Sequence, residues 1–262
     1  MKIKSPNWIY ILAIVPMLVV DFCLGIYLAR NKLWLVILLA VLGIAMVVAI
    51  FRKFTVMPKP MENYGAYREA ELELPVQANV QLYWSEEMAR FDFLHRIAEV
   101  VTPLIPGDQP FKVMMNPAME KEYGETFMRV AVTRELESLR TRTSLKSMVG
   151  LVLPFEVLVA CLLTVGNFHL QLEAQLGGFL VNMVAPAVAV VLFGGALVLW
   201  NKSISKQDIR LDRYLLAHFP KKEVEEYICI TEKMLEGGEK GKEFSEHYKN
   251  DRLIALSNYE KK

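Results

Sequence analysis

The chain has 262 residues, 53% of them hydrophobic, and 30 basic residues balance 29 acidic ones to a net charge of +1. That balance leaves no basic footprint of the kind a nucleic-acid partner needs. Cys23, Cys161 and Cys229 have neither zinc-ligand nor redox spacing, so no cysteine-built metal or redox motif is expected.

The hydrophobic residues are gathered in four blocks, Trp8 to Ala29, Leu33 to Phe51, Met148 to Phe168 and Leu176 to Trp200. Each reaches the roughly 20 residues that a helix needs to cross a bilayer core. The blocks predict a mainly α membrane protein with four transmembrane helices in two hairpins. The first is too long for a signal-peptide core, and Arg30-Asn31-Lys32 and a second block follow it in place of a cleavage pattern. The expected division is 1–52 and 147–201 for the hairpins, with 53–146 and 202–262 as polar regions.

Basic residues set the expected orientation. Lys2, Lys4, Arg52, Lys53, Arg140, Arg142, Lys146 and Lys202 flank the blocks on one side, whereas the loop "NFHLQLEAQ" has no Lys or Arg. Both termini and the central region are therefore expected to be cytoplasmic. Within the blocks, Asp21 and Glu156 are acids at a depth where charge is costly, and Asn182 in the fourth lies at a depth similar to Asp21. They mark either a function or polar helix packing.

Between the hairpins, "ELELPVQANVQLYW" alternates in a way that predicts extended structure interrupted at Pro75. Ser85 reads as an N-cap with Glu86 and Glu87 in the first turn, followed by Phe91, Leu94, Ile97, Ala98 and Val101 at helical spacing. "PLIPGDQP" ends that helix, "FKVMM" predicts a short strand, and the chain reads as helical from about Met119. After the last block, "SISKQDIRLDRYLLAHFP" predicts a helix stopped by Pro220. "KKEVEEYICITEKMLE" predicts an amphipathic helix closed by Gly237-Gly238, and the tail one more short helix or a frayed end.

One motif carries chemistry. In "TRELESLRTRT", Arg134, Glu135 and Ser138 occupy the frame of the helical zinc motif H-E-x-x-H, and "DIRLD" follows the second hairpin with acids at Asp208 and Asp212. Two histidines four apart share a helix face and reach one Zn²⁺, with the intervening glutamate placed to activate bound water. This order of hairpin, motif helix, hairpin and acid-bearing helix resembles the HtpX-like membrane zinc metallopeptidases of the gluzincin branch. "FLHRIAEVVTPLIPGDQPFKVMMNPAME" is similar to that family's helix, Pro-rich turn and strand.

The resemblance implies that Arg134 and Ser138 stand at the two histidine positions, Glu135 at the catalytic glutamate, Asp208 at the third ligand and Asp212 at the acid after it. A guanidinium has no lone pair for a metal and a serine hydroxyl is a weak neutral donor. His95, His169, His218 and His247 have no paired histidine to replace them. The segment between Asn116 and Arg134 is also shorter than its family counterpart, which supplies a substrate-binding edge strand.

The expectation is a degenerate member without metal or cofactor, in which Arg134, Glu135, Asp208 and Asp212 form a polar cluster with Arg134 in the cation's place. Such a pseudopeptidase is not an enzyme. It would act as a protein-binding regulator or adaptor in membrane-protein quality control, its partners being the lipid bilayer and other membrane or cytoplasmic proteins. Three other readings stay open: an active membrane metalloendopeptidase with zinc in a rearranged site, an assembly subunit of a membrane complex, and a solvated helix of alternating charge.

Overall fold

The structure, a computed structural model, describes residues 64–76, 79–90, 97–101, 111–141, 169–234 and 238–259, with isolated positions between 143 and 158. The chain divides into two compact units. One draws its described residues from Met57–Thr143 and Ser205–Lys262, the other from Ser144–Ile204.

In the first unit four strands form one mixed sheet. They are β1 (Tyr67–Glu69), β2 (Val80–Ser85), β3 (Ala98–Val101) and β4 (Phe111–Met115). Their spatial order is β1-β2-β4-β3, with β2 and β4 parallel and both outer pairs antiparallel. The sequence "FKVMM" suits the central place of β4, because a strand covered on both faces needs apolar residues on both. Phe111, Val113 and Met115 point to one core cluster, and Met114 joins Tyr64, Tyr83, Met88 and Val101 in the other.

Helix α1 (Pro117–Thr141) covers the first face with Phe127, Met128, Val130, Ala131, Val132 and Leu136. Its start is fixed locally. Asn116 accepts the amide of Ala118 through its side-chain oxygen at 3.0 Å, and Pro117 stands at the first helical position, where no amide is needed. Gly124 breaks the helix with φ 87° and ψ 171°, a conformation that only glycine adopts readily.

The C-terminal part of the long helix α3 (Ala185–Leu215), from Ser205 on, belongs to the same unit, with α4 (Lys221–Met234) and α5 (Gly238–Tyr259). Leu215 and Phe219 close the turn between α3 and α4, where the amide of Phe219 donates to the carbonyl of Leu215. Helix α4 buries Val224, Tyr227 and Ile228, spaced to share one face.

The structure corrects the helix expected through Ala98 and Val101. Those residues form β3, since pairing with β4 buries Val100 and Val101 in the sheet. Phe91, Leu94 and His95 lie outside the described residues. Ser85 does not cap a helix: it ends β2, its hydroxyl donates to the carbonyl of Tyr64 at 2.8 Å, and only a 3-10 turn (Glu86–Arg90) follows.

The fold class is corrected as well. Among the described residues no helix is long and apolar enough to cross a membrane. The first and second expected spans lie outside the described residues, as does most of the third. The expected fourth span is not one regular helix. Helix α2 (His169–Leu176) stops at Gly177 with φ 86°, and a π-helical turn (Leu180–Val184) precedes Ala185. The regular α-helical part up to Trp200 then measures roughly 24 Å, short of the roughly 30 Å of a bilayer core. The same finding overturns the multi-pass membrane localisation, since the cytoplasmic placement of the termini and central region rested on those spans. What is described is mainly helical with a four-stranded mixed sheet.

Candidate functional site

Four helices of the first unit converge on one charged cluster. Arg134 of α1 donates through Nη2 to Oδ1 of Asp208 and through Nε, at 3.4 Å, to Oδ1 of Asp212, both on α3. The four-residue interval puts the two acids one turn apart on the same face of α3. Arg252 of α5 then holds Asp212 with two bonds, Nε to Oδ2 and Nη2 to Oδ1, each 2.7 Å. Its Nη1 donates to Oε1 of Glu232 on α4 at 2.6 Å. The hydroxyl of Tyr248 donates to the remaining oxygen of Asp208 at 2.5 Å.

The cluster is sealed from water to different depths. Asp212 is fully buried, Glu232 and Arg252 nearly so, whereas the side chains of Arg134 and Asp208 keep 17% and 22% exposure. Two guanidinium groups face three carboxylates, an arrangement stable in a poorly solvated place only when each charge is paired and hydrogen-bonded. Burial pushes the Asp208 carboxyl up, but the charges of Arg134 and Arg252 and the bonds from Tyr248 and Arg134 outweigh it and hold it below the ordinary range. Burial likewise opposes the charge on Arg134 and Arg252, yet the facing aspartates raise both above the usual arginine value. Burial first, and the Asp208 charge second, push the Tyr248 hydroxyl well up, so it stays a donor.

Of the residues singled out in the sequence, Arg134, Asp208 and Asp212 come together. Glu135, next to Arg134 in sequence, is half-buried on α1. Ser138 is buried one turn on, and its carbonyl accepts the hydroxyl of Thr141 at 3.4 Å. Glu137 is clamped by Arg140 through two bonds of 2.5 Å. Asn182 lies exposed in the π-helical turn of the other unit. Asp21, Glu156, Cys23 and Cys161 lie outside the described residues, and Cys229 is exposed on α4.

Tyr248, Arg252 and Glu232 were not legible as site residues. They sit on "TEKM" and "EHYKNDRL", charge-rich stretches with no motif spacing.

The donors do not fit a zinc ion. Arg134 and Arg252 offer no lone pair, and both oxygens of Asp208 and of Asp212 already accept hydrogen bonds. Among the described residues no three His, Cys, Asp or Glu side chains are grouped to hold a metal. Elsewhere in this unit an open cleft of about 620 Å³ is lined by Glu69, Glu71, Glu73 and Glu125 with Leu72 and Leu82, and by none of the cluster residues.

The class that fold and site define is thus a mixed-sheet α/β unit whose helices are joined through a buried arginine–carboxylate cluster. Comparison with protein-family models, with curated proteins and with solved structures finds no match.

Proposed function

We propose that the first unit is a non-catalytic, metallopeptidase-like module that acts by binding other proteins. The observation that carries this reading is the convergence of Arg134 with Asp208 and Asp212. In the resemblance these are the positions of one zinc ligand, the third ligand and the acid that follows it. The guanidinium sits where it can bridge the motif helix and the acid-bearing helix, as a cation would. It supplies fixed positive charge but no Lewis acidity and no activated water, so the module loses peptide hydrolysis and keeps the scaffold.

The test is the metal content of the purified full chain, by elemental analysis, beside an Arg134→His/Ser138→His/Asp208→Glu variant. The expected result is no zinc in the wild type and about one zinc per chain in the variant. Zinc in the wild type would return the protein to the active peptidases. A folded variant that takes up none would remove the metallopeptidase frame altogether.

A further inference from the structure

We infer that helix α5 is a releasable strap, fastened over the acids of α3 and α4 by polar ties and able to lift off while the sheet and its covering helices stay folded.

The contrast between α4 and α5 carries this inference. Helix α4 places Val224, Tyr227 and Ile228 in the buried core cluster, and α1 supplies a whole row of side chains to it. Among the described residues, Leu256 is the one side chain that α5 gives to the buried cluster, with Leu253 packed against it. Two other large apolar residues of α5, Ile254 and Tyr259, are 58% and 51% exposed.

Beside Leu253 and Leu256, what fastens the described part of α5 is polar. Tyr248 binds Asp208, and Arg252 binds Asp212 and Glu232. The Tyr259 ring lies 5.5 Å from the Arg213 guanidinium. These ties lie at positions 248, 252 and 259 and land on α3 and α4. Over its described side chains such a helix has little apolar area to hold it once its bonds exchange for water, and helices in proteins owe most of their stability to tertiary packing.

The ties are also matched to what they cover. Lifting α5 removes one guanidinium from Asp212 and Glu232 and leaves Arg134 on Asp208 and Asp212, so the α1–α3 bridge survives. The open form presents Asp208, Asp212 and Glu232 to solvent, where their charge no longer needs a buried partner. Local opening in units of this kind is the ordinary route by which a surface is uncovered without global unfolding. The inference holds whether or not the frame descends from a peptidase.

Hydrogen exchange of the full chain, read by mass spectrometry, tests it. In the wild type the amides of 246–259 should exchange together and at least about tenfold faster than those of β4 and of 127–138 in α1. Tyr248→Phe, which removes one tie and no charge, should speed exchange in α5 several-fold and leave β4 and α1 unchanged. Arg252→Lys should do so more strongly. Protection of α5 equal to that of β4 in the wild type would overturn the inference. So would a Tyr248→Phe effect that appears equally in α5, β4 and α1, because α5 would then open only with the whole unit.

Discussion

Arg134 and Asp208 are 74 residues apart in the chain and joined by a hydrogen-bonded ion pair, with Asp212 one turn further along α3 on the same guanidinium. The pair ties α1, the helix that covers the sheet, to α3.

Replacing Arg134 by Met should cost about 3–5 kcal/mol, because Asp208 loses its main counter-charge while still largely shielded. Asp208→Asn in that background should add little. A double-mutant cycle by urea denaturation would then give a coupling energy of roughly 1–3 kcal/mol. Additive effects would mean that the two residues do not act on each other.

Acid should weaken the unit through Asp208. Its folded pKa lies below the ordinary value of 3.8, so the unfolded chain takes up the proton first as pH falls. The contribution is therefore complete above about pH 5 and is lost as pH falls through 4 and below. Denaturation midpoints at pH 7, 5 and 3 should show this fall, and Asp208→Asn should flatten it.

Alkali acts through Tyr248 in the opposite sense. Its folded pKa is raised, so its contribution is complete below the unfolded tyrosine value of about 10 and fades as pH rises beyond it. Ultraviolet titration should find tyrosines that ionise late in the folded protein and normally after unfolding. Tyr248→Phe should remove one of the late group, whose other members among the described residues are Tyr123, Tyr214 and Tyr227.

Thr133, beside Arg134, is fully buried and its hydroxyl has no hydrogen-bond partner among the described residues. Thr133→Val keeps the shape and removes the unsatisfied group, so it should stabilise the protein by about 1 kcal/mol. A loss of stability in thermal denaturation would show that the hydroxyl has a partner.

At Gly124 a Cβ would meet nothing within 4 Å, yet φ is 87°. Gly124→Ala should therefore destabilise by about 1–3 kcal/mol through backbone strain alone. An unchanged melting temperature would mean that the break in α1 straightens at no cost.

Local pattern carried part of this structure in the sequence itself. The apolar run "FKVMM", the helix read from about Met119 and the amphipathic face of α4 are each written within a few residues, and each stands in the fold, whereas the helix expected to run to Pro220 ends at Leu215. The frames "RELES" and "DIRLD" also marked three of the cluster residues. The tertiary structure decided the rest. Ala98 to Val101 has helical spacing but pairs with β4, because the sheet buries Val100 and Val101 more completely than an isolated helix would. The parallel pairing of β2 with β4 and the capture of Asp212 by Arg252, 40 residues away, are long-range events that no local period records. The apolar block from Leu176 to Trp200 read as one span, yet Gly177 and a π-helical turn divide it. Hydropathy counts which residues avoid water, whereas backbone geometry and the contacts made by distant residues determine what covers them.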